Sequence, residues 1–197
     1  MPKTGIVRHP IYLKHDMGLG HPETPRRLLS IYDMLDEPDM AGRFAAIEPR
    51  PARPGEIQRI HAEPYYRRVE QTSGRSVYLD PDTSTSPQSF DAALMAAGGT
   101  IEAVDAVMDG RADNAFCLHR PPGHHAERDR AMGFCLFNNV AIGAAHALER
   151  ADCRRVLIYD PDLHHGNGTQ NSFYARSDVL YVSTHQYPLL SGNRRVQ

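Results

Sequence analysis

The apolar run Val156-Leu157-Ile158-Tyr159 passes without a break into Asp160-Pro161-Asp162-Leu163-His164-His165-Gly166-Asn167-Gly168. The first half reads as a buried strand. The second packs two carboxylates and two imidazoles into six positions. Charged groups seldom crowd together without partners, so this density at a strand end points to a site rather than to a solvated loop. If the strand runs on through Leu163, Asp160, Asp162 and His164 alternate by two and face one spot. Oxygen and imidazole ligands together suit zinc or another first-row divalent metal. The glycines flanking Asn167 allow a tight turn at the strand end, where open α/β sheets hold their ligands.

The 197 residues suffice for one domain with a sizeable core. A net charge of −2 gives no reason to expect nucleic acid or an anionic membrane as partner. No apolar run approaches the roughly 20 residues of a membrane-spanning helix, and the opening Met1-Pro2-Lys3-Thr4-Gly5 does not read as a secretory signal. Cys117, Cys135 and Cys153 are too scattered for a disulfide framework or a cysteine zinc site, which leaves a cytoplasmic protein as the expectation. The eleven histidines cluster, and that tells more than their number.

Strand and helix signals alternate along the chain. Gly5-Ile6-Val7 predicts a strand, and Thr24 with Pro25 predicts a helix start with an apolar stripe of Leu28, Leu29, Ile31, Met34 and Leu35. Phe44–Ile47 predicts a second strand and Ile57–Val69 a helix containing His61. Leu79–Pro87 reads as a surface loop. Gln88–Met108 predicts the longest helix, with small residues Ala96-Ala97-Gly98-Gly99 for close helix–sheet approach and Gly110 as its stop. Ala115–Leu118 predicts a buried strand, Asn138–Leu148 a helix, Gln170–Tyr174 a short helix and Val179–Ser183 a strand. The alternation predicts a single α/β domain over residues 1–197 with a mainly parallel sheet and helices on both faces.

A second constellation follows the strand at Ala115–Leu118. Pro121-Pro122 stiffens the backbone before Gly123-His124-His125, and adjacent imidazoles there suit general acid–base work near neutral pH. Two such motifs, each closing a strand, fit one active-site edge.

The residues now carry a resemblance. Arg120-Pro121-Pro122-Gly123-His124-His125-Ala126, then Gly133-Phe134-Cys135-Leu136-Phe137-Asn138-Asn139, then Asp160-x-Asp162-x-His164-His165-Gly166-Asn167-Gly168-Thr169-Gln170 resemble the histone deacetylase superfamily, which includes acetylpolyamine amidohydrolases and acetoin-utilisation proteins. Thr4–Val7 and Gly20-His21-Pro22-Glu23-Thr24-Pro25-x-Arg27-Leu28 are similar to its bacterial members. The resemblance implies a three-layer α/β/α fold and hydrolysis of an acetylated lysine or acetylpolyamine to acetate. It implies Asp162 and His164 as ligands of Zn2+, and His124 and His125 as the acid–base pair acting on the zinc-bound water. Asp160 would orient His124, and Asn167 would sit beside His125. Gly133 and Phe134 would line the acyl tunnel, Asp82 would hold the substrate at the rim, and Arg27 would line an internal channel. A structural K+ would use Asp160, Asp162, His164 and Ser183, with a second cation near Phe173, Arg176 and Val179. From residue type alone, Phe134 suits a core, Asp82 a cap or turn, and Arg27 a helix surface. Arginase-like metallohydrolases share the fold, but the His124-His125 pair argues against them. Neither substrate identity nor oligomeric state, a homo-oligomer included, follows from the residues.

The resemblance also implies a third zinc ligand, an aspartate, and an oxyanion-binding tyrosine, both downstream of Gln197. Without the last strand–helix units the sheet would lose an edge and expose apolar surface. Where relatives run aromatic-Pro-Gly-Thr-Gly, this chain reads Leu190-Ser191-Gly192-Asn193-Arg194-Arg195. The codons CTA-TCC-GGG-AAC-CGG-CGC would encode these six residues and, read one base later, would give Tyr-Pro-Gly-Thr-Gly. The expectation is a single-base frameshift that truncated a full-length deacetylase, which the downstream nucleotide sequence would decide. For function, a zinc-dependent deacetylase is expected, with a catalytically inactive remnant as the alternative.

Overall fold

The computed structural model describes residues 3–187. Leu190–Arg195, on which the frameshift expectation rests, lie outside the described residues.

Three strands form the first parallel sheet in the order β2 (Ala45–Ala46), β1 (Thr4–Val7), β5 (Asn114–Cys117). β1 is buried on both faces, as a central parallel strand must be. Ile6 packs with Leu28 and Tyr32 of helix α1 (Pro25–Leu35). Val7 packs with Ala103 and Ala106 of helix α4 (Ser89–Met108). Helices thus cover the two faces of this sheet, the arrangement expected for an α/β domain. A second parallel pair joins β6 (Val156–Asp160) to β7 (Val179–Ser183), with Asp160 opposite Ser183. The α4 helix packs mainly on α5 (Asn139–Leu148), and α5 in turn on β6.

The small residues of α4 work as expected, though against different partners. A side chain at Gly98 would collide with the Arg50 carbonyl, and one at Gly99 with Tyr12 and Val7. The approach is therefore to the 50–52 loop and the short 3-10 turn Pro10–Lys14 as well as to β1.

Several sequence expectations are corrected. The helix expected over Ile57–Val69 is two, α2 (Pro54–Ile57) and α3 (Glu63–Glu70), because Pro64 has no N–H to continue a helix and sits in a first turn. His61 lies between them. Leu79–Pro87 is no surface loop: β3 (Tyr78–Asp80) and β4 (Thr83–Ser84) form an antiparallel hairpin, with Thr83, Ser84 and Thr85 buried. In α1 the buried face is Leu28 and Tyr32, while Leu29 and Met34 are exposed. β5 leaves Phe116 exposed. β6 ends at Asp160 rather than running through Leu163, since Pro161 cannot donate to a ladder.

Candidate active site

Asp160, Asp162 and His164 therefore do not project by strand alternation. Asp162 and His164 come together through a turn: Asp162 Oδ1 accepts the His164 backbone N–H at 2.8 Å and lies 3.3 Å from His164 Nδ1. The chain then enters helix α6 (Asn167–Phe173) at Gly166. A side chain at Gly166 would overlap the Asp160 carboxylate and Tyr181 hydroxyl, so the residue lets that loop close onto the strand end.

The histidine pair is held from two sides. The rings of His124 and His125 lie 4.0 Å apart. His124 Nδ1 meets Asp160 Oδ2 at 2.9 Å, and His125 Nδ1 meets Asn167 Oδ1 at 2.8 Å. Asp160 Oδ2 also accepts from the Tyr181 hydroxyl at 3.0 Å. Burial pushes the Asp160 carboxyl up, but the hydrogen bond and charge of His124 outweigh it, and the net shift is downward. His125 is pushed down to about 4, first by burial and then by neighbouring His124, with the Asn167 contact acting weakly against them. His125 is thus neutral at neutral pH, and His124 Nε2 lies 4.0 Å from Asp162 Oδ1.

Behind the pair sits an ionic anchor that residue type alone did not reveal. Arg120, buried, donates through Nε to Glu23 Oε1 and through Nη1 to the carbonyls of Tyr12 and His15 at 3.0 and 2.8 Å. This ties the His124-His125 loop to the segments before α1. His61, also buried, donates from Nδ1 to the Glu127 carbonyl (2.8 Å) and accepts the Asn138 N–H at Nε2 (2.9 Å).

Of the other expected residues, Gly133, Phe134 and Asp82 fall beside this centre, and the rest lie elsewhere. Gly133 has φ +56° and its α-carbon faces the His125 ring; Phe134 has φ +69° and packs edge-on against His21 at 4.6 Å. Asp82, exposed, accepts from the Gly133 N–H at 3.3 Å, and Thr83 Oγ1 accepts from Phe134 N–H at 3.0 Å. Arg27 lines a separate cleft of about 330 Å³ with Glu23, Leu28, Ile31, His119 and Arg120. Ser183 bonds His185 rather than another site residue, and Phe173 and Val179 lie in the core. Tyr181 was missed; β7 alternation places it on the same face as Ser183, the register partner of Asp160, which is the signal that could have found it.

Two zinc bonds of about 2.0 Å at a tetrahedral angle put their donor atoms roughly 3.3 Å apart. The Asp162 Oδ1 to His164 Nδ1 spacing of 3.3 Å matches the separation of two such donors. Among the described residues, no group of three His, Cys, Asp or Glu side chains gathers to complete a metal cage.

The loop after β5 and the turn after β6, the end strands of two parallel sheets, thus bring a braced pair of imidazoles beside an Asp–His turn, an arrangement suited to acid–base hydrolysis. The chain belongs to the histone deacetylase family: the model of the histone deacetylase domain matches residues 21–195. It is 42% identical over 191 residues to a probable deacetylase of Archaeoglobus fulgidus, covering 96% of this chain and 53% of that protein. It is 41% identical over 189 residues to a histone deacetylase-like amidohydrolase of Pseudomonas aeruginosa, covering 94% and 48%. The crystal structure of the HDA15 HD domain superposes with a TM-score of 0.89 at 38% identity, covering 94% of this chain and 54% of that one. The chain spans about half the length of the curated relatives it matches.

Proposed function

We propose that this chain carries the acid–base half of a zinc-dependent deacetylase site, which hydrolyses the amide of an acetylated lysine or acetylpolyamine and releases acetate. The observation that carries this reading is the braced pair: His124 on Asp160 and His125 on Asn167, rings 4.0 Å apart, beside the Asp162–His164 turn. Asp162 and His164 would hold zinc, which when bound supplies Lewis-acid polarisation of the carbonyl and a water acidified toward about 7.

The chain's own groups divide the proton work. His125, neutral with its Nδ1 proton given to Asn167, offers Nε2 to accept the proton of the attacking water. His124 donates from Nδ1 to the Asp160 carboxylate, which orients the ring so that Nε2 faces the leaving amine. Phe134 and Gly133 would wall the acyl chain, Asp82 would meet the substrate at the rim, and Arg27 would line an internal channel. For a structural K+, Asp160 and Ser183 stand side by side in register, and Phe173 and Val179 would flank a second cation. The unpaired Cys117, Cys135 and Cys153 support a cytoplasmic setting; among the described residues no helix is long and apolar enough to cross a membrane.

A second reading, an inactive polypeptide, is favoured by the two-ligand count among the described residues. Metal content and hydrolysis of a fluorogenic acetyl-lysine peptide, measured on the purified chain, separate the two. Stoichiometric zinc and turnover that His125→Ala abolishes support the first; no zinc and no turnover leave only the second.

A further inference from the structure

Asn167 is an amide, and an amide can present either end to His125. Which end it presents decides where the imidazole carries its proton. If Oδ1 faces Nδ1, the proton sits on Nδ1 and Nε2 is free to accept one. If Nδ2 faces Nδ1, the proton moves to Nε2 and the base is lost.

The surroundings leave one choice. Asn167 Nδ2 points at three acceptors: Glu127 Oε1 at 2.8 Å, the His125 carbonyl at 3.4 Å and Met132 Sδ at 3.4 Å. Turning the amide over would set its oxygen against a carboxylate and a carbonyl. Glu127 is the only charged group of the three, and it is itself fixed. Arg130 donates to its Oε2 at 3.2 Å, Asn171 donates to its Oε1 at 3.1 Å, and its backbone N–H donates to the Arg130 carbonyl at 2.9 Å. Its side chain is 22% exposed, so water competes only partly for these bonds.

We infer that Glu127 is a positioning residue, which sets the orientation of the Asn167 amide and through it the Nδ1-protonated tautomer of His125. Charge-assisted hydrogen bonds are the stronger kind, so the carboxylate outweighs the two neutral acceptors in holding the amide. The inference rests on reading His125 as the proton acceptor, but its test does not need turnover.

The chain labelled with 15N-histidine reports tautomers directly at pH 8, where His125 is neutral. Expected for the wild type is a pyrrole-type signal at Nδ1 and a pyridine-type signal at Nε2. Glu127→Gln, which keeps an acceptor oxygen, should retain this pattern, and Glu127→Ala should even it out. Glu127→Lys replaces the acceptor by a donor, so the amide should turn and the pattern invert. If His125 keeps the Nδ1 proton unchanged in Glu127→Ala or Glu127→Lys, or carries it on Nε2 in the wild type, the inference is overturned. Loss of hydrolysis with the tautomers as expected would count against the proposed reaction alone.

Discussion

Gly133 and Phe134 occupy consecutive positive-φ positions, +56° and +69°. The first is inexpensive for glycine. For phenylalanine such a conformation costs of order 1–3 kcal/mol and persists only where the surroundings hold it. Here Thr83, fully buried, accepts the Phe134 N–H, and His21 packs on the ring. Residue type alone could not place Phe134, because a tunnel wall and a core both accept an aromatic ring. His61 shows the opposite case, a histidine with no proton chemistry to do. Burial pushes its pKa down to about 4, against the hydrogen bond to the Glu127 carbonyl that pulls it up. Its folded pKa therefore lies below the unfolded value near 6.5, so the unfolded chain takes up the proton first as pH falls. Its contribution is fully present above pH 6.5 and is lost as pH falls to about 4, by roughly 3 kcal/mol at most. Urea unfolding from pH 8 to pH 4, compared with His61→Gln, should show the wild type losing its advantage across that window. Parallel pH profiles for the two proteins would refute this.

Element by element, the long regular segments were legible and the short ones were not. The α4 and α5 helices and strands β1, β6 and β7 stand within a residue or two of where periodicity put them, because apolar runs and small-residue stripes survive in any context. The β3–β4 hairpin was missed, since its buried residues Thr83, Ser84 and Thr85 are polar and bury through hydrogen bonds rather than apolar area. At the site, the motifs named the imidazoles and carboxylates. The backbone turn that joins Asp162 to His164 is not visible in a period-2 pattern once Pro161 ends the strand. Helix α2, only four residues long, needs outside support, and Glu56 supplies it. Its carboxylate accepts the Arg53 N–H at 2.6 Å and both Arg50 Nη groups at 2.8 Å, while Arg50 Nε reaches Glu102 on α4. Burial raises the Glu56 pKa, yet these bonds and the charges of Arg50 and Arg53 bring it down to about 2. Its contribution is present above the unfolded value of 4.5 and is lost as pH falls toward 2. Glu56→Gln should cost about 1–3 kcal/mol at pH 7. The difference from wild type should shrink below pH 4.5; a constant difference down to pH 2.5 would mean that charge is not what holds this corner.

At the scale of the whole molecule, the two parallel sheets are finished differently. β1 is enclosed between α1 and α4, whereas β6 and β7 bury one face and leave the other open among the described residues. On that open face Leu157 sits opposite Leu180 and Tyr159 opposite Val182, with the two leucines 64% and 63% exposed. Parallel strands are normally covered on both faces, and a contiguous apolar patch of this kind draws a partner surface or another copy. The hydrophobic effect then favours self-association of the isolated chain, the copies sharing the strip that water would otherwise wet. Sedimentation velocity over a wide concentration range should show mass rising with concentration. Leu180→Lys should return the chain toward monomer while changing its urea midpoint little, because an outward position on this strand has few packed neighbours to lose. A wild type that stays monomeric throughout would mean that the β6–β7 face tolerates water as it stands. Leu180→Lys that lowers the unfolding midpoint as strongly as a core substitution would mean that the face is already packed.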